Sequence, residues 1–218
     1  MKSWGAIFDW DGVIIDSSAA HRESWERLAR ETGLPLPPGY FETSFGMKSR
    51  RIIQEILRWT DDPGQLKELD WRKECLYRDV IRERGIEPLP GVVEFLQRLR
   101  AASVPGVIAT STHSRNVQCA MEIIRLDEYF QGMIAGENVT HGKPDPEVFL
   151  LAAQKIGLPP GRCVVFEDAH VGIEAARRGG MKVIAVTTTH PAETLQTADR
   201  VVDRLDRLIV PDIAAWFA

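Results

Sequence analysis

Short apolar runs recur along this chain, and within each run apolar and polar residues do not alternate. The runs occupy residues 5–8, 106–109, 132–135, 163–166 and 182–186, with a weaker sixth run at 200–202. A strand that is apolar throughout is buried on both faces, which is typical of a parallel sheet covered by helices on both sides. The runs therefore predict a buried parallel sheet.

Amphipathic segments separate these runs from about residue 88 onward. Their apolar residues repeat at the spacing of three and four residues that marks one face of a helix. Examples are Val92, Leu96 and Leu99; Val117, Met121 and Ile124; and Phe149, Ala152, Ala153 and Ile156. The alternation of strands and helices predicts an α/β fold with a Rossmann-like, doubly wound parallel sheet.

The segment from residue 17 to residue 87 interrupts this alternation, because it holds three helical patterns and no convincing strand. The patterns cover roughly residues 18–32, 49–59 and 65–84. A segment of about 70 residues is far longer than a crossover between neighbouring strands requires. We therefore predict an α/β core domain formed by residues 1–16 and 88–218, and an inserted helical cap domain formed by residues 17–87.

The charge balance and the length of the apolar runs exclude two kinds of partner. The chain has 27 Lys and Arg residues against 31 Asp and Glu residues, a formal net charge of −4, and no block of like charge. It therefore lacks the basic surface by which proteins bind nucleic acid. The apolar runs end after a few residues, whereas a membrane-spanning helix needs about 20. We expect neither a nucleic-acid partner nor a membrane span.

The three cysteines, Cys75, Cys119 and Cys163, are odd in number and lack the spacing of metal ligands. They argue against a disulfide framework and against a zinc site, and they fit a reducing compartment. The N-terminal residues do not form the apolar stretch of a signal peptide, because two aspartates follow soon after Phe8. We expect a soluble cytoplasmic protein that is a monomer or a weak homodimer.

Polar residues cluster where the predicted strands end. They are Asp9 and Asp11 after the first strand; Thr110, Ser111 and Thr112 after the second; Lys143 between the third and the fourth; and Glu167 and Asp168 after the fourth. In open α/β sheets the carboxyl ends of the strands share one edge, and ligands bind there. We therefore expect these residues to form one site.

The acidic residues of this site suit a hard cation. Asp9 and Asp11 are two residues apart in an extended segment, so both carboxylates can face the same side. Neighbouring carboxylates repel each other unless a cation lies between them. Glu167 and Asp168 add oxygen donors, and no Cys or suitably spaced His is near. This donor set predicts Mg²⁺, and Lys143 would balance part of the negative charge.

Each cluster alone has an ordinary structural explanation. An isolated Asp-x-Asp or Glu-Asp pair can cap a helix, a Thr-Ser pair is often part of a polar loop, and a lysine is usually solvated. All four clusters, however, fall at the same predicted edge of the sheet. That coincidence favours a functional site over four unrelated structural roles.

Residues 8–17, Phe-Asp-Trp-Asp-Gly-Val-Ile-Ile-Asp-Ser, resemble the first motif of the haloacid dehalogenase-like superfamily of phosphohydrolases and phosphomutases. Thr110 matches the second motif of this superfamily, Lys143 the third, and the pair Glu167 and Asp168 the fourth. The resemblance covers essentially the whole chain, and the helical insertion is similar to the family's α-helical cap. The chain most resembles the β-phosphoglucomutase-like phosphatases.

The resemblance implies a role for each matching residue. Asp9 would be the nucleophile that becomes an aspartyl-phosphate, and Asp11 would act first as an acid and then as a base. Thr110 would bind a phosphoryl oxygen, and Lys143 would hold the nucleophile. Mg²⁺ would be bound by the Asp9 side chain, the Asp11 backbone carbonyl and Asp168, with Glu167 binding it directly or through water.

Two cap residues, His21 and Lys73, lie on the apolar faces of their helices. Such a residue is usually a satisfied core group or a snorkelling side chain, but it can also line a cleft. The resemblance implies that the substrate is contacted by His21, by the turn at residues 46–50 with Gly46 and Arg50, by Lys73, and from the core by Ser111 and Thr112.

These residues predict a Mg²⁺-dependent phosphatase that acts on a small phosphorylated metabolite such as a sugar phosphate. The alternative is a sugar phosphomutase of the β-phosphoglucomutase type. His113 stands where such a mutase has a lysine, although Arg50 or Arg115 could replace that cation. A non-enzymatic phosphoacceptor switch is a distant alternative, because receiver domains lack so long a helical insertion. A dehalogenase is disfavoured, because those enzymes lack the second aspartate.

Overall fold

The computed structural model describes residues 4–44 and 47–218. The strands are β1 Gly5–Phe8, β2 Gly106–Ala109, β3 Met133–Ile134, β4 Cys163–Glu167, β5 Lys182–Val186 and β6 Arg200–Val202. The α-helices are α1 Ser18–Thr32, α2 Tyr40–Ser44, α3 Ser49–Arg51, α4 Pro63–Arg84, α5 Val92–Ala101, α6 Ser114–Ile124, α7 Glu147–Lys155, α8 His170–Arg178 and α9 Val210–Ala215. A π-helical turn at Ile52–Ile56 directly follows α3.

The strands form a six-stranded parallel sheet with the order β3-β2-β1-β4-β5-β6. β1 lies in the middle, with Phe8 opposite Ile108 of β2 on one side and opposite Phe166 of β4 on the other. The chain builds outward from β1 to β3, then returns to build β4 to β6 on the other side. The predicted α/β fold with a doubly wound parallel sheet is therefore confirmed.

Both faces of the sheet are buried, which explains why its strands are apolar throughout. Phe8 of β1 belongs to one buried cluster and stacks on Phe166, with 4.6 Å between the ring centroids. Ile7 belongs to the cluster on the other face, together with Val165 of β4 and Phe149 of α7. Successive residues of one strand thus point into opposite halves of the core.

The third strand is shorter than the apolar run at residues 132–135 predicts. β3 contains only Met133 and Ile134, and both are half-buried. It lies at the edge of the sheet with β2 as its neighbour, so one ladder of hydrogen bonds holds it where inner strands have two. Gly132 precedes it with a φ of 120°, which is outside the range of an extended strand.

The region between β1 and α5 is helical, as predicted. Helices α1 and α4 pack along each other, and Trp25, Leu28 and Leu76 belong to a hydrophobic cluster separate from those of the sheet. The second predicted helix, at residues 49–59, is interrupted: α3 passes into the π-helical turn, and Arg58 has a φ of 53°. The short helix α2 lies between the first two predicted helical patterns and has no counterpart among them.

Helix α4 begins at Pro63, two residues before the predicted start, because a cap precedes it. The Gln65 amide donates a hydrogen bond to Asp62 Oδ1 over 2.8 Å. Proline suits the first position of a helix, since its missing N–H has no partner there. Pro63 and Gly64 are therefore part of the first turn of the helix.

The two segments that join the helical region to the sheet run side by side. Ile15 forms an isolated β-bridge with Pro88, and the Leu89 amide donates a hydrogen bond to the Ile14 carbonyl over 2.8 Å. The division into a core of residues 1–16 and 88–218 and a cap of residues 17–87 stays a prediction, which this geometry favours.

In the described part of the chain, no helix combines the length and the apolarity that crossing a membrane requires. The cytoplasmic location and the monomeric or weakly dimeric state stay predictions.

Candidate active site

Strand β1 brings Asp9 and Asp11 to the carboxyl edge of the sheet, where the chain turns sharply at Gly12. Gly12 has a φ of 79°, and a Cβ atom there would lie 1.9 Å from Asp168 Oδ2. Any other residue would strain the backbone and displace the Asp168 carboxylate. The glycine thus lets the loop after β1 lie directly against the loop after β4.

Three buried carboxylates meet at this edge, from Asp9, Glu167 and Asp168. One oxygen atom from each lies within 4.8 Å of the others. Lys143 Nζ lies 3.0 Å from Asp9 Oδ1 and 2.6 Å from Glu167 Oε1. These four residues are all predicted site residues, and we call them the acidic cluster. Asp9 follows β1, Lys143 precedes α7, and Glu167 and Asp168 lie at the end of β4.

The charges within the acidic cluster do not balance, because three carboxylates face one ammonium group. Burial raises the pKa of Asp9 to about 7; Glu167 and Asp11 add to the rise, and Lys143 opposes it. Burial, then Glu167 and Asp9, raise the pKa of Asp168 well above its ordinary value. Burial would lower the pKa of Lys143, but Asp9 and Glu167 outweigh it and raise it, so Lys143 stays charged.

The acidic cluster fits a divalent cation of the magnesium type. Its donors are carboxylate oxygens, which are the ligands that hard cations prefer. Apart from its ion pair with Lys143, the buried Asp9 Oδ1 accepts no hydrogen bond from the described residues. A divalent ion would offset the excess negative charge and keep Asp9 ionised at neutral pH. Both Glu167 oxygens already accept hydrogen bonds, so Asp9 and Asp168 offer the more open ligands.

Lys143→Met is expected to lower the free energy of unfolding of the metal-free protein by about 3 to 5 kcal/mol at pH 8, because it leaves buried carboxylates without a counter-charge. The loss should be smaller at pH 5, where Asp9, whose pKa is about 7, takes up a proton. Urea unfolding in EDTA at both pH values measures this. Equal destabilisation at the two pH values would contradict the charge-balance role of Lys143.

The side chain of Asp11 is held by different partners from those of Asp9. Its carboxylate accepts hydrogen bonds from the Ser17 and Thr112 hydroxyls, and His21 Nε2 lies 3.8 Å from Asp11 Oδ1. Burial would raise the pKa of Asp11, but the contacts with His21, Ser17 and Thr112 outweigh it, and the pKa lies below its ordinary value. The two aspartates of the first motif thus differ in environment and in charge state.

The loop after β2 contributes a second wall next to Asp11. Thr110 is buried, and its hydroxyl accepts a hydrogen bond from the Thr112 amide over 3.0 Å. Ser111 is half-buried, and a Cβ atom at Gly136 would lie 2.3 Å from the Ser111 carbonyl oxygen. Thr112 contacts Asp11 directly, whereas the predicted phosphate contact of Thr110 and the substrate contact of Ser111 stay predictions.

Two cap residues reach Asp11 from the helical region. Lys73 on α4 is 2% exposed, and its Nζ lies 2.8 Å from His21 Nδ1 on α1. The His21 ring stacks on Tyr77 at 4.2 Å between centroids. Because an ammonium group only donates hydrogen bonds, Nδ1 of His21 accepts, and the proton of the neutral ring lies on Nε2, toward Asp11. Burial and Lys73 lower the pKa of His21, which favours this neutral form.

Arg50, another predicted cap residue, is not part of this group of contacts. Arg50 is exposed, and its Nε forms an ion pair with Asp70 Oδ2 at 2.8 Å. Gly46 lies outside the described residues. The predicted substrate contacts of Arg50 and Gly46 stay predictions.

Comparison with known proteins places this arrangement in a family. A family model described as haloacid dehalogenase-like hydrolase matches residues 5–180, which include every residue of the acidic cluster. The chain belongs to the haloacid dehalogenase-like hydrolases. The predicted family and the prediction of a hydrolytic enzyme are thereby confirmed.

Two relatives of this hydrolase are named as phosphatases. The chloroplastic 5-amino-6-(5-phospho-D-ribitylamino)uracil phosphatase of Arabidopsis thaliana is 37% identical over 212 residues, which cover 96% of this chain and 56% of that protein. The fructose-1-phosphate phosphatase YqaB of Escherichia coli is 33% identical over 182 residues, which cover 84% of this chain and 95% of the relative. This chain therefore spans little more than half the length of the plant protein.

The fold of this hydrolase is also that of a phosphomutase. The crystal structure of β-phosphoglucomutase from Clostridium difficile superimposes with a TM-score of 0.84 at 24% sequence identity, covering 99% of this chain and 97% of the other. At that identity the likeness concerns the fold. It confirms the expected likeness to β-phosphoglucomutase at the level of architecture.

Side-chain hydrogen bonds that were not predicted from the sequence lie around the site of this hydrolase. The Thr189 hydroxyl donates a hydrogen bond to Asp168 Oδ2 over 2.6 Å and so fixes a predicted metal ligand. Thr189 follows β5, so the same strand-end argument could have found it. Glu74 and Asn116 join α4 to α6 and carry no motif signal, because their contact depends on how two distant helices pack.

The charge of Glu74 is expected to make this hydrolase less stable in acid. Burial would raise the pKa of Glu74, but Lys73, His21, Ser49 and Asn116 outweigh it and lower the pKa to about 2. Below about pH 4.5 the unfolded chain takes up a proton that the folded state refuses, so stability falls as the pH drops toward 2. The full effect is about 3 kcal/mol. Urea unfolding from pH 7 to pH 3 should show a steeper loss for the wild type than for Glu74→Gln; parallel curves would contradict it.

Proposed function

We propose that this hydrolase is a phosphatase that hydrolyses small phosphorylated metabolites, sugar phosphates among them, through an aspartyl-phosphate on Asp9. The observation that carries the proposal is the separate placement of two aspartates. Asp9 lies in the acidic cluster beside Lys143, whereas Asp11 is held by hydroxyl groups and faces His21. This difference in surroundings supports assigning the attack on phosphorus to Asp9 and the proton transfer to Asp11.

In the first half of the proposed reaction, an Asp9 oxygen attacks phosphorus and the bond from phosphorus to the alcohol oxygen breaks. Asp11 gives a proton to that oxygen, so the product leaves as a neutral alcohol. Lys143 holds Asp9 and neutralises charge on the transferring group, and the Thr110 hydroxyl donates a hydrogen bond to a phosphoryl oxygen. When bound by Asp9 and Asp168, Mg²⁺ would supply further positive charge at the phosphoryl oxygens.

In the second half, water attacks the phosphorus of the aspartyl-phosphate, and Asp11 accepts a proton from that water. The bond between phosphorus and the Asp9 oxygen breaks, so inorganic phosphate is released and the Asp9 carboxylate is restored. The lowered pKa of Asp11 keeps it as a carboxylate in the free protein, which is the form that this half requires. The negative charge of a bound phosphate ester beside Asp11 raises its pKa and provides the protonated form for the first half.

The polar surface of the cap supports a hydroxylated substrate. His21 Nε2 lies 3.8 Å from Asp11 Oδ1, and Lys73 contacts His21 from behind, so polar groups line the side of Asp11 where the alcohol portion of the ester would lie. The two relatives are named for a phosphoribitylamino compound and for fructose 1-phosphate, which both carry several hydroxyl groups. A small sugar or sugar alcohol phosphate meets both requirements.

A sugar phosphomutase is the second candidate, supported by the shared fold. It would pass the phosphoryl group of Asp9 to a sugar hydroxyl instead of to water. The loop after β2 presents the exposed His113, which faces Glu137 with 3.4 Å between Nδ1 and Oε1. A histidine paired with a carboxylate is a weaker anion site than a free lysine, which favours the phosphatase.

A metabolite screen tests the proposed function. The purified chain with Mg²⁺ is expected to release inorganic phosphate from sugar phosphates and from 4-nitrophenyl phosphate. β-Glucose 1-phosphate with a bisphosphate primer distinguishes the two candidates: isomerised sugar phosphate without phosphate release would establish the mutase. Absence of phosphate release from every ester, with no isomerisation, would refute both.

Asp168→Asn is expected to raise the Mg²⁺ concentration at half-maximal rate by about 10-fold or more, because it removes a charged ligand oxygen of the proposed metal site. Isothermal titration of Mg²⁺ into the resting protein checks the same loss without turnover. Glu174→Gln, which breaks an exposed ion pair with Arg178 on α8, is the control and should leave Mg²⁺ binding unchanged. Unaltered Mg²⁺ affinity in Asp168→Asn would contradict the proposed ligand.

A further inference from the structure

A buried hydrogen bond joins helix α4 of the cap region to helix α6 beside the sheet. The Asn116 amide on α6 donates to Glu74 Oε2 on α4. Arg78 Nη1 donates to Asn116 Oδ1 over 2.8 Å, which leaves the NH₂ group of Asn116 to face Glu74. Asn116 is 1% exposed, so water competes little for this bond.

The other oxygen of Glu74 leads toward the active site. Glu74 Oε1 lies 3.0 Å from Lys73 Nζ and accepts a hydrogen bond from the Ser49 hydroxyl over 2.5 Å. Lys73 Nζ in turn lies 2.8 Å from His21 Nδ1, and His21 Nε2 lies 3.8 Å from Asp11 Oδ1. A continuous path of polar contacts therefore runs from α6 to Asp11.

Glu74 supplies a counter-charge to the Lys73 ammonium, with 3.0 Å between Oε1 and Nζ. The Lys73 stem is buried, and its Nζ lies 5.4 Å from the Trp25 ring centroid and 5.6 Å from that of Tyr77. Within these aromatic walls Glu74 supplies the carboxylate and His21 the neutral acceptor. If Glu74 shifts, the Lys73 ammonium follows its counter-charge, and His21 loses the donor that fixes its ring proton on Nε2.

We propose that Asn116 and Glu74 are positioning residues: their hydrogen bond fixes Lys73 and His21 against Asp11 when the helical region lies on the core. This inference rests on the proposed function, in which Asp11 gives the proton to the leaving alcohol. Loss of the bond between Asn116 and Glu74 should therefore have its largest effect on substrates whose leaving group needs a proton.

A purely structural role of the same bond makes a different prediction. Helices α4 and α6 pack against each other, so the bond also contributes to stability. If stability were its only role, its loss would lower the rates on all substrates by the same factor, namely the fraction of protein that remains folded. A difference between leaving groups separates the two roles.

Two phosphate esters that differ in their leaving group test the proposal. Phenyl phosphate has the poorer leaving group and needs the proton, whereas 4-nitrophenyl phosphate needs it less. Asn116→Ala and the isosteric Glu74→Gln are each expected to lower kcat/KM for phenyl phosphate by about 10-fold, the value of one charge-assisted hydrogen bond. For 4-nitrophenyl phosphate the loss should stay below about 3-fold. Equal losses on both esters, or no loss on either, would overturn the proposal.

The matched control is Glu31→Gln. It breaks an ion pair between Glu31 on α1 and Arg72 on α4, 2.5 Å between Oε1 and Nη2, that stays within the helical region and is exposed. It should leave both rates unchanged. The double variant Asn116→Ala with Glu74→Gln should lose no more than the worse single variant, because both act through one contact.

The same assay keeps the two proposals apart. If the wild type hydrolyses neither of these esters nor any sugar phosphate of the metabolite screen, the proposed function fails and this inference fails with it. If it hydrolyses sugar phosphates only, the variants are compared on the best of these, and a loss of less than about 3-fold there would overturn the positioning role. If the wild type hydrolyses both esters and the variants lose the two activities equally, the phosphatase stands and the positioning role is wrong. Glu74→Gln keeps size and shape, so it supplies the result if Asn116→Ala folds poorly.

Discussion

Asp9→Asn is expected to lower kcat by at least about 10⁴-fold on every phosphate ester while the protein stays folded. An amide oxygen is a far poorer nucleophile than a carboxylate, so no aspartyl-phosphate forms. Steady-state rates with Mg²⁺ and an aryl phosphate measure the loss. Near wild-type turnover in Asp9→Asn would rule out the nucleophile assignment.

The stability of the same variant provides an internal check. Burial raises the pKa of Asp9 to about 7, so above that pH the metal-free folded state carries a carboxylate that it disfavours. Asp9→Asn removes this charge, and its free energy of unfolding at pH 8 in EDTA should equal or exceed that of the wild type. Asp16→Asn is the matched control and should retain activity. Asp16 lies in the same motif, is exposed, and accepts a hydrogen bond from the Ser18 amide at the start of α1.

Asp11→Asn is expected to slow hydrolysis by about 10²- to 10⁴-fold where the leaving group needs a proton, and much less for 4-nitrophenyl phosphate. The reason is that Asn cannot transfer a proton, whereas Asp9 and Lys143 remain in place for the attack. A plot of log kcat/KM against leaving-group pKa should be steeper for Asp11→Asn than for the wild type. Parallel plots would count against the acid role of Asp11.

The architecture and the acidic cluster could be predicted from the sequence because each depends on local pattern. Apolar runs such as residues 163–166 define buried strands, and strand ends in a parallel sheet must share an edge. That rule is enough to bring Asp9 and Asp168 together from positions far apart in the chain. It needs no knowledge of how the helices pack.

The contacts around Asp11 could not be predicted in this way. Asp9 and Asp11 are two residues apart in a predicted extended segment, which suggests a shared environment. In the structure the chain turns at Gly12, and the Asp11 carboxylate contacts Ser17 and Thr112. The Glu74–Asn116 bond depends on how α4 lies across α6, and no periodicity of either helix reveals that geometry. Side-chain partners between separately folded helices are set by tertiary packing.

The pairing of Ile15 with Pro88 has a consequence for how such enzymes diversify. Because the helical region leaves and rejoins the sheet at neighbouring points, its length and sequence can change during evolution without altering strand order or register. The helical region can then be exchanged while the acidic cluster at the carboxyl edge of the sheet is inherited intact.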